Sequence, residues 1–275
     1  MQKRLQQIYE NIQNSTPLIH NITNYVTVND CANIELAFGG RPIMADDIRE
    51  IEEILSCASS LVINMGTPNP RTIESMKFAS KIANEKHVPV ILDPVGCGFT
   101  TLRRELSKDL ITHHQFSVIR GNLSEILFLL SKDTTGKGVD VSAEDTLTGI
   151  DVVIDHAKTL AKELSCVVIV TGVDDVITDG CEVAICHSGH PMMSQVTGTG
   201  CMLSAMLGVS VGANPDDVFA ASLYAMATMG LAGEKGAKHI QSHGLGTSTM
   251  RTMIIDNVSN SYAKEIIKEA NYEIK

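Results

Sequence analysis

Four short runs along this chain are almost wholly apolar and stop at a polar or turn-forming residue: 60–64 (SLVIN), 88–93 (VPVILD), 116–120 (FSVIR) and 166–171 (CVVIVT). Runs without polar alternation predict strands covered on both faces, as in a parallel sheet. Segments 46–58, 71–85, 122–130 and 151–164 carry helical spacing between them. Strands alternating with helices predict βαβ units in a doubly wound α/β sheet. Residues 132–145, rich in Gly, Asp, Thr and Ser, read as a surface excursion within one domain spanning 1–275. A hairpin is expected at 176–185, followed by closely packing helices at 199–211 and 215–233, rich in Ala, Met and Gly.

Composition narrows the function classes. With no Trp, six Phe and five Tyr, the core must be aliphatic. A formal net charge of −10 argues against nucleic acid or an anionic membrane as a partner, since both need a basic surface. Seven scattered cysteines without a Cys-x-x-Cys fit reduced thiols rather than a disulfide framework. Residues 1–20 are polar and helical in character rather than a leader with an apolar centre. No stretch approaches the roughly 18 apolar residues of a membrane helix. A soluble, cytoplasmic protein is expected.

In an open parallel sheet, ligands bind beyond the carboxyl ends of the strands, so polar residues there are the first candidates for chemistry. The strongest motif is Val196-Thr197-Gly198-Thr199-Gly200-Cys201, followed by the helical run MLSAMLGV. Two glycines at a helix start let backbone N–H groups approach an anion, with the helix dipole adding positive potential; an ordinary capped loop is the plain alternative. The motif lacks the third glycine of a dinucleotide fingerprint and the Gly-Lys-[Ser/Thr] of a Walker loop. Arg120 could contact phosphate, and Asn122 with Glu125 could organise hydrated Mg²⁺, though Asn-x-x-Glu is also a capping-box pattern. Asp93 ends one strand beside a glycine-rich turn, as a metal-site carboxylate or as a turn former. Thr171 ends another and could bond phosphate. Cys181, Cys186, His187 and His190 match no zinc spacing and read as structural. His113 and His114 read as surface residues, and 226–229 as core packing. The segment 239–249 (HIQSHGLGTST) reads as a flexible loop and a candidate cover for the site.

Together VTGTGC, RGNLSE, LDPVGCG and the strand ending IVTG resemble the ribokinase-like superfamily. The stretches His20-Asn21-Ile22-Thr23-Asn24-Tyr25-Val26, Gly39-Gly40-Arg41-Pro42-Ile43-Met44 and Asn64-Met65-Gly66-Thr67 resemble, within it, the hydroxyethylthiazole kinases of thiamin salvage. That resemblance runs from about residue 18 to 232 and implies a three-layer αβα fold with a mostly parallel sheet. It implies ATP with Mg²⁺, 4-methyl-5-(2-hydroxyethyl)thiazole as acceptor, and a homotrimer with sites at subunit interfaces. It places Met44 and Gly198 against the thiazole with Asn24 and Val26 nearby, Arg120 and Thr171 on ATP, and Asp93 and Glu125 at the metal–phosphate region. Cys201 falls where most of the superfamily carries an aspartate base, a departure typical of the thiazole kinases. It reads as a weak base or positioning group, with plain packing as the alternative. A kinase for another small alcohol, such as a hydroxymethylpyrimidine or pyridoxal-like compound, is the competing reading. A nucleotide or thiazole sensor without turnover ranks below it, and an NAD-dependent oxidoreductase lower still.

Overall fold

Each apolar run becomes a strand with a helical layer on either side. The computed structural model describes residues 1–131 and 149–275. Along the chain it has α1 (Gln2–Ser15), β1 (Leu18–Ile22), α2 (Val28–Phe38), β2 (Arg41–Met44), α3 (Ile51–Leu55), β3 (Ser60–Asn64) and α4 (Pro70–Glu85). Then come β4 (Val90–Asp93), α5 (Thr101–His113), β5 (Val118–Asn122), α6 (Leu123–Leu130), α7 (Ile150–Leu164), β6 (Val167–Thr171), β7 (Asp175–Thr178) and β8 (Val183–Cys186). A short 3₁₀ turn (Pro191–Gln195) leads into α8 (Thr199–Ala213), α9 (Val218–His243), α10 (Thr247–Ser259), α11 (Ala263–Glu269) and β9 (Tyr272–Ile274). The expected surface excursion at 132–145 lies outside the described residues.

The strands form one nine-stranded sheet in the order β2-β1-β3-β4-β5-β6-β7-β8-β9. The first six are parallel, and β7, β8 and β9 extend the sheet antiparallel. Side chains alternate across a strand, so each strand feeds two cores. Ile19, Val62, Ile91, Val118 and Ile169 join one core with α1, α2, α8, α9 and α10. Leu61, Ile63, Leu92, Ile119 and Val168 join the other, with α3, α4, α5, α6 and α7. This is a three-layer αβα sandwich. The β1–β2 connection through α2 and the β3–β4 connection through α4 lie on opposite layers, which opens a crevice at the carboxyl ends between them. Among the described residues no helix is long and apolar enough to cross a membrane.

Several expectations need correction. Helix 46–58 shrinks to α3, because the Asp47 carboxylate accepts the Arg49 N–H at 3.0 Å and holds the entry as a turn. The loop expected at 239–249 is instead the end of α9 and the start of α10. Gly244, at φ +64°, caps α9, and a residue later Leu245 N–H still bonds back to Ile240. Helix 215–233 starts later and runs further, as α9, with the Asp217 side chain capping its first turn. The hairpin at 176–185 forms as β7 and β8.

Helix α8 lies directly on β1, β3 and β4, and this closeness depends on Gly208. A Cβ there would stand 2.5 Å from Val62 Cγ2 and 3.0 Å from Ile19 Cγ2, both methyls of stiff β-branched side chains in the sheet. Alanine's helix propensity gains about 1 kcal/mol, but overpacking costs ~1–3 kcal/mol. Gly208→Ala is therefore expected to lower unfolding free energy by about 1–2 kcal/mol in a denaturant titration. An unchanged midpoint would mean that α8 can lift from the sheet freely.

Candidate active site

The two-residue period of a strand decides which tip residues share a face. Val62, Ile91, Val118 and Ile169 all point into the α8 layer; the residues two further on are Asn64, Asp93, Arg120 and Thr171. The same parity therefore presents all four to the α8 side, at the carboxyl ends of four adjacent strands. Asn64 and Asp93 are register partners.

The start of α8 meets this row. Gly198 is its N-cap, at φ +88° and without a side-chain cap, and the first intrahelical bond runs from Met202 N–H to Gly198. The preceding N–H groups face outward from a helix N-terminus, an anion-binding arrangement. Both motif glycines are needed for close approach. A Cβ on Gly198 would lie 2.5 Å from Thr27 Cγ2, and one on Gly200 would lie 2.6 Å from Arg120 Nη1. The guanidinium thus packs against the helix start.

Polar contacts join the two halves. Cys201 Sγ accepts from Asn24 Nδ2 at 3.2 Å and Asn64 Nδ2 at 3.4 Å. Asn64 Nδ2 also donates to Asp93 Oδ2 at 2.7 Å, and the Ser204 hydroxyl donates to the same oxygen at 2.8 Å. Arg120 Nη1 stands 3.6 Å from Asp93 Oδ1, while Nη2 donates to Thr171 Oγ1 at 3.0 Å. Asp93 is fully buried, and burial pushes its carboxyl up, against the opposing pull of Arg120, Ser204 and Asn64. Glu125 is raised by burial and by the charge of Asp93. Its two oxygens accept the N–H groups of Gly96 and Asn122 at 2.7 and 2.8 Å, so the capping box forms and also ties in the β4–α5 loop.

Of these residues Arg120 and Thr171 line a cavity of about 590 Å³, together with Thr199, Gly200, His190 and Leu203. A larger groove, about 880 Å³, opens at the amino ends of the strands beside His87, Ser117 and Cys166. It lies on the opposite rim from the polar row, so size does not mark the site here. Asn24 is buried, and its Oδ1 accepts from Val26 N, Thr27 N and Thr27 Oγ1. That turn leaves the Val26 side chain 57% exposed on the single chain. Met44 ends β2 opposite Asn21, partly buried against the α8-side core. Thr197 is exposed just ahead of the helix, and Thr199 is half-buried in its first turn. Cys186 is buried in β8, Cys181 is exposed, and His187 Nδ1 pairs with Asp174 at 2.6 Å.

Sequence reasoning named Asn64 only within a motif and did not single out Ser204. Asn64 carries the same signal as Asp93, a polar residue closing an apolar strand. Ser204 sits one helical turn after Gly200 in the run MLSAM, and nothing in that run marks it.

The match to a family model for the hydroxyethylthiazole kinase family spans residues 9–264. A hydroxyethylthiazole kinase of Clostridium beijerinckii is 48% identical over 260 residues, covering 94% of this chain and 93% of the relative. The solved hydroxyethylthiazole kinase of Pyrococcus horikoshii is 31% identical with a TM-score of 0.88, covering 99% of each chain. A Bacillus subtilis pyridoxal kinase, solved as an ADP complex, is alike in fold at 17% identity and a TM-score of 0.57, covering 78% of this chain and 90% of that one. With a helix start, a buried carboxylate and a guanidinium gathered at the strand tips of a ribokinase-like sandwich, this chain belongs to the hydroxyethylthiazole kinase family.

Proposed function

We infer that the protein transfers the γ-phosphoryl group of ATP to the hydroxyethyl oxygen of 4-methyl-5-(2-hydroxyethyl)thiazole, in thiamin biosynthesis or salvage. The observation that carries this reading is the single polar network running from Cys201 through Asn64 and Asp93 to Arg120. It joins a place for an alcohol to a place for phosphate.

Phosphoryl transfer passes through a loose transition state, so positioning and charge stabilisation matter more than proton removal. The new bond joins the alcohol oxygen to the γ-phosphorus as the bond from that phosphorus to the β–γ bridging oxygen breaks; ADP leaves, and the hydroxyl proton is released to solvent. The N–H groups of Thr199, Gly200 and Cys201 are placed for the transferring oxygens, with Thr197 at the mouth of the loop. Arg120 neutralises charge there, held by Thr171. Gly198 and Met44 border the thiazole, Asn24 and Val26 lie nearby, and Cys201 orients the attacking hydroxyl.

Mg²⁺ fits this donor set. Asp93 Oδ1 is a buried carboxylate oxygen without a hydrogen-bond partner among the described residues, and Mg²⁺ takes one or two carboxylates plus phosphate and water. Asp93 would hold the ion, with Glu125, whose oxygens are already engaged, acting through water. The ion would supply charge neutralisation on the phosphates. The further reading is of one domain over 1–275, cytoplasmic, with no nucleic-acid or membrane partner, assembled as a homotrimer. Exposed Tyr25 and Val26 beside Asn24 give the thiazole side an apolar rim for a neighbouring subunit.

ADP release should require both the thiazole alcohol and Mg²⁺. Turnover with a hydroxymethylpyrimidine or pyridoxal but not with the thiazole would move the assignment to another acceptor. Arg120→Ala should cut kcat/KM for ATP by about 100-fold, as when one preorganised charge-stabilising donor is lost. Thiazole binding measured by calorimetry should stay the same, and unaltered ATP kinetics would remove Arg120 from the site. Cys201→Ala should lower kcat by under about tenfold, short of the ~100-fold or more expected for a general base. Cys201→Asp should keep or raise activity; its complete loss would refute the placement of the alcohol beside residue 201.

A further inference from the structure

Asp93 is held asymmetrically. Oδ2 accepts two hydrogen bonds, from Asn64 Nδ2 at 2.7 Å and Ser204 Oγ at 2.8 Å. Oδ1 has no hydrogen-bond partner among the described residues and faces Arg120 Nη1 at 3.6 Å. The terminal torsion of an aspartate is broad and nearly two-fold, so nothing intrinsic to the side chain tells its oxygens apart. The neighbours make the difference. Both donors are fully enclosed: Asn64 is 1% exposed and Ser204 0%.

The orientation of the Asn64 amide is itself forced. Its Oδ1 accepts from Asn24 Nδ2 at 3.0 Å and Gly66 N at 2.9 Å. Flipping the amide would set its oxygen against the Asp93 carboxylate and its NH₂ against two donors. With Oδ1 fixed, the two Nδ2 hydrogens have set destinations, Asp93 Oδ2 and Cys201 Sγ. One amide therefore spans the metal–phosphate side and the alcohol side. Ser204 touches only the former, and it also anchors the carboxylate to the first turn of α8, where its hydroxyl lies 3.2 Å from Gly200 O.

We propose that Asn64 and Ser204 are positioning residues for phosphoryl transfer: together they hold Asp93 with Oδ1 on the Arg120 side and free for the metal ion of the nucleotide, and Asn64 alone couples that orientation to the Cys201 thiol. The proposal rests on the kinase reading above. It differs from plain structural support in predicting an unequal pattern. Removing Ser204 Oγ frees the carboxylate to rotate and leaves the thiol held by Asn24 and Asn64. Removing the Asn64 amide disturbs both ends.

The test compares wild type, Ser204→Ala and Asn64→Ala in two measurements. The first is ADP binding by calorimetry with and without Mg²⁺, which needs no turnover. The gain in ADP affinity on adding Mg²⁺ should fall by about tenfold in both variants, as for loss of an outer-shell partner of a metal ligand. The second is steady-state kinetics. KM for the thiazole alcohol should hold in Ser204→Ala and rise about fivefold in Asn64→Ala, the effect of one lost hydrogen bond. An unchanged Mg²⁺ effect on ADP binding in Ser204→Ala overturns the proposal, and that variant decides alone if Asn64→Ala does not fold. An equal rise in alcohol KM in both variants overturns the coupling role of Asn64. Failure of wild type to make ADP from the alcohol overturns the kinase reading instead, a distinct outcome.

Discussion

A carboxylate without solvent access at the centre of a sheet edge constrains everything around it. Asp93 is wholly buried, and a buried charge is tolerated only when paired and hydrogen-bonded. The fold meets this with a cation from the next strand, an amide from the previous strand and a hydroxyl from the helix above. Each group belongs to a different element, so β3, β4, β5 and α8 must all be docked before the carboxylate has its partners. Even so, among the described residues one oxygen stays without a hydrogen bond, and Arg120 Nε is likewise unpartnered. Incomplete pairing in a dry site stores electrostatic potential for a ligand.

Glycine sets how closely the pieces approach. Helix α8 can lie on the sheet because Gly208 leaves room for Val62 and Ile19, and its start can meet Arg120 and Thr27 because Gly200 and Gly198 have no Cβ. The thiol is fixed by the same contact, since Thr27 belongs to the turn that the Asn24 oxygen organises and Asn24 Nδ2 reaches Cys201. Packing at one end of the helix and chemistry at the other thus follow from one stripe of small residues.

How much of this was legible in the sequence depended on how strongly each element is patterned. β3, β4, β5 and β6 were predicted because they are buried on both faces, and their polar tips pointed to Asp93, Arg120 and Thr171. β1 was missed because LIHNI places a histidine and an asparagine inside an apolar run, both of which are buried in the fold. β2 was missed because it is a four-residue edge strand. The 46–58 and 239–249 errors share a cause, in that local side-chain and glycine capping moved helix ends that periodicity alone cannot fix. Parity along each strand was available and would have grouped Asn64 with the other tips. Ser204 was not available, because its role comes from a helix docking on a strand far away in sequence.

The same layer holds a second buried acid, and the contrast clarifies what a functional carboxylate needs. Glu35, on the inner face of α2, is 0% exposed, yet neither oxygen has a hydrogen-bond partner among the described residues. Burial pushes it well above the usual carboxylate range, with Asn21 beside it pulling the other way. Among the described residues no guanidinium faces it as Arg120 faces Asp93, and burial drives it toward the neutral acid. Asn21 Oδ1 is likewise without a hydrogen-bond partner among the described residues. Burial raises both acids, and what differs is the set of groups around each. A cation and two donors face Asp93, whereas the neighbour that eases the burial of Glu35 is the Asn21 amide. Burial is common to the two acids; the fixed counter-charge and the two donors are what set Asp93 apart.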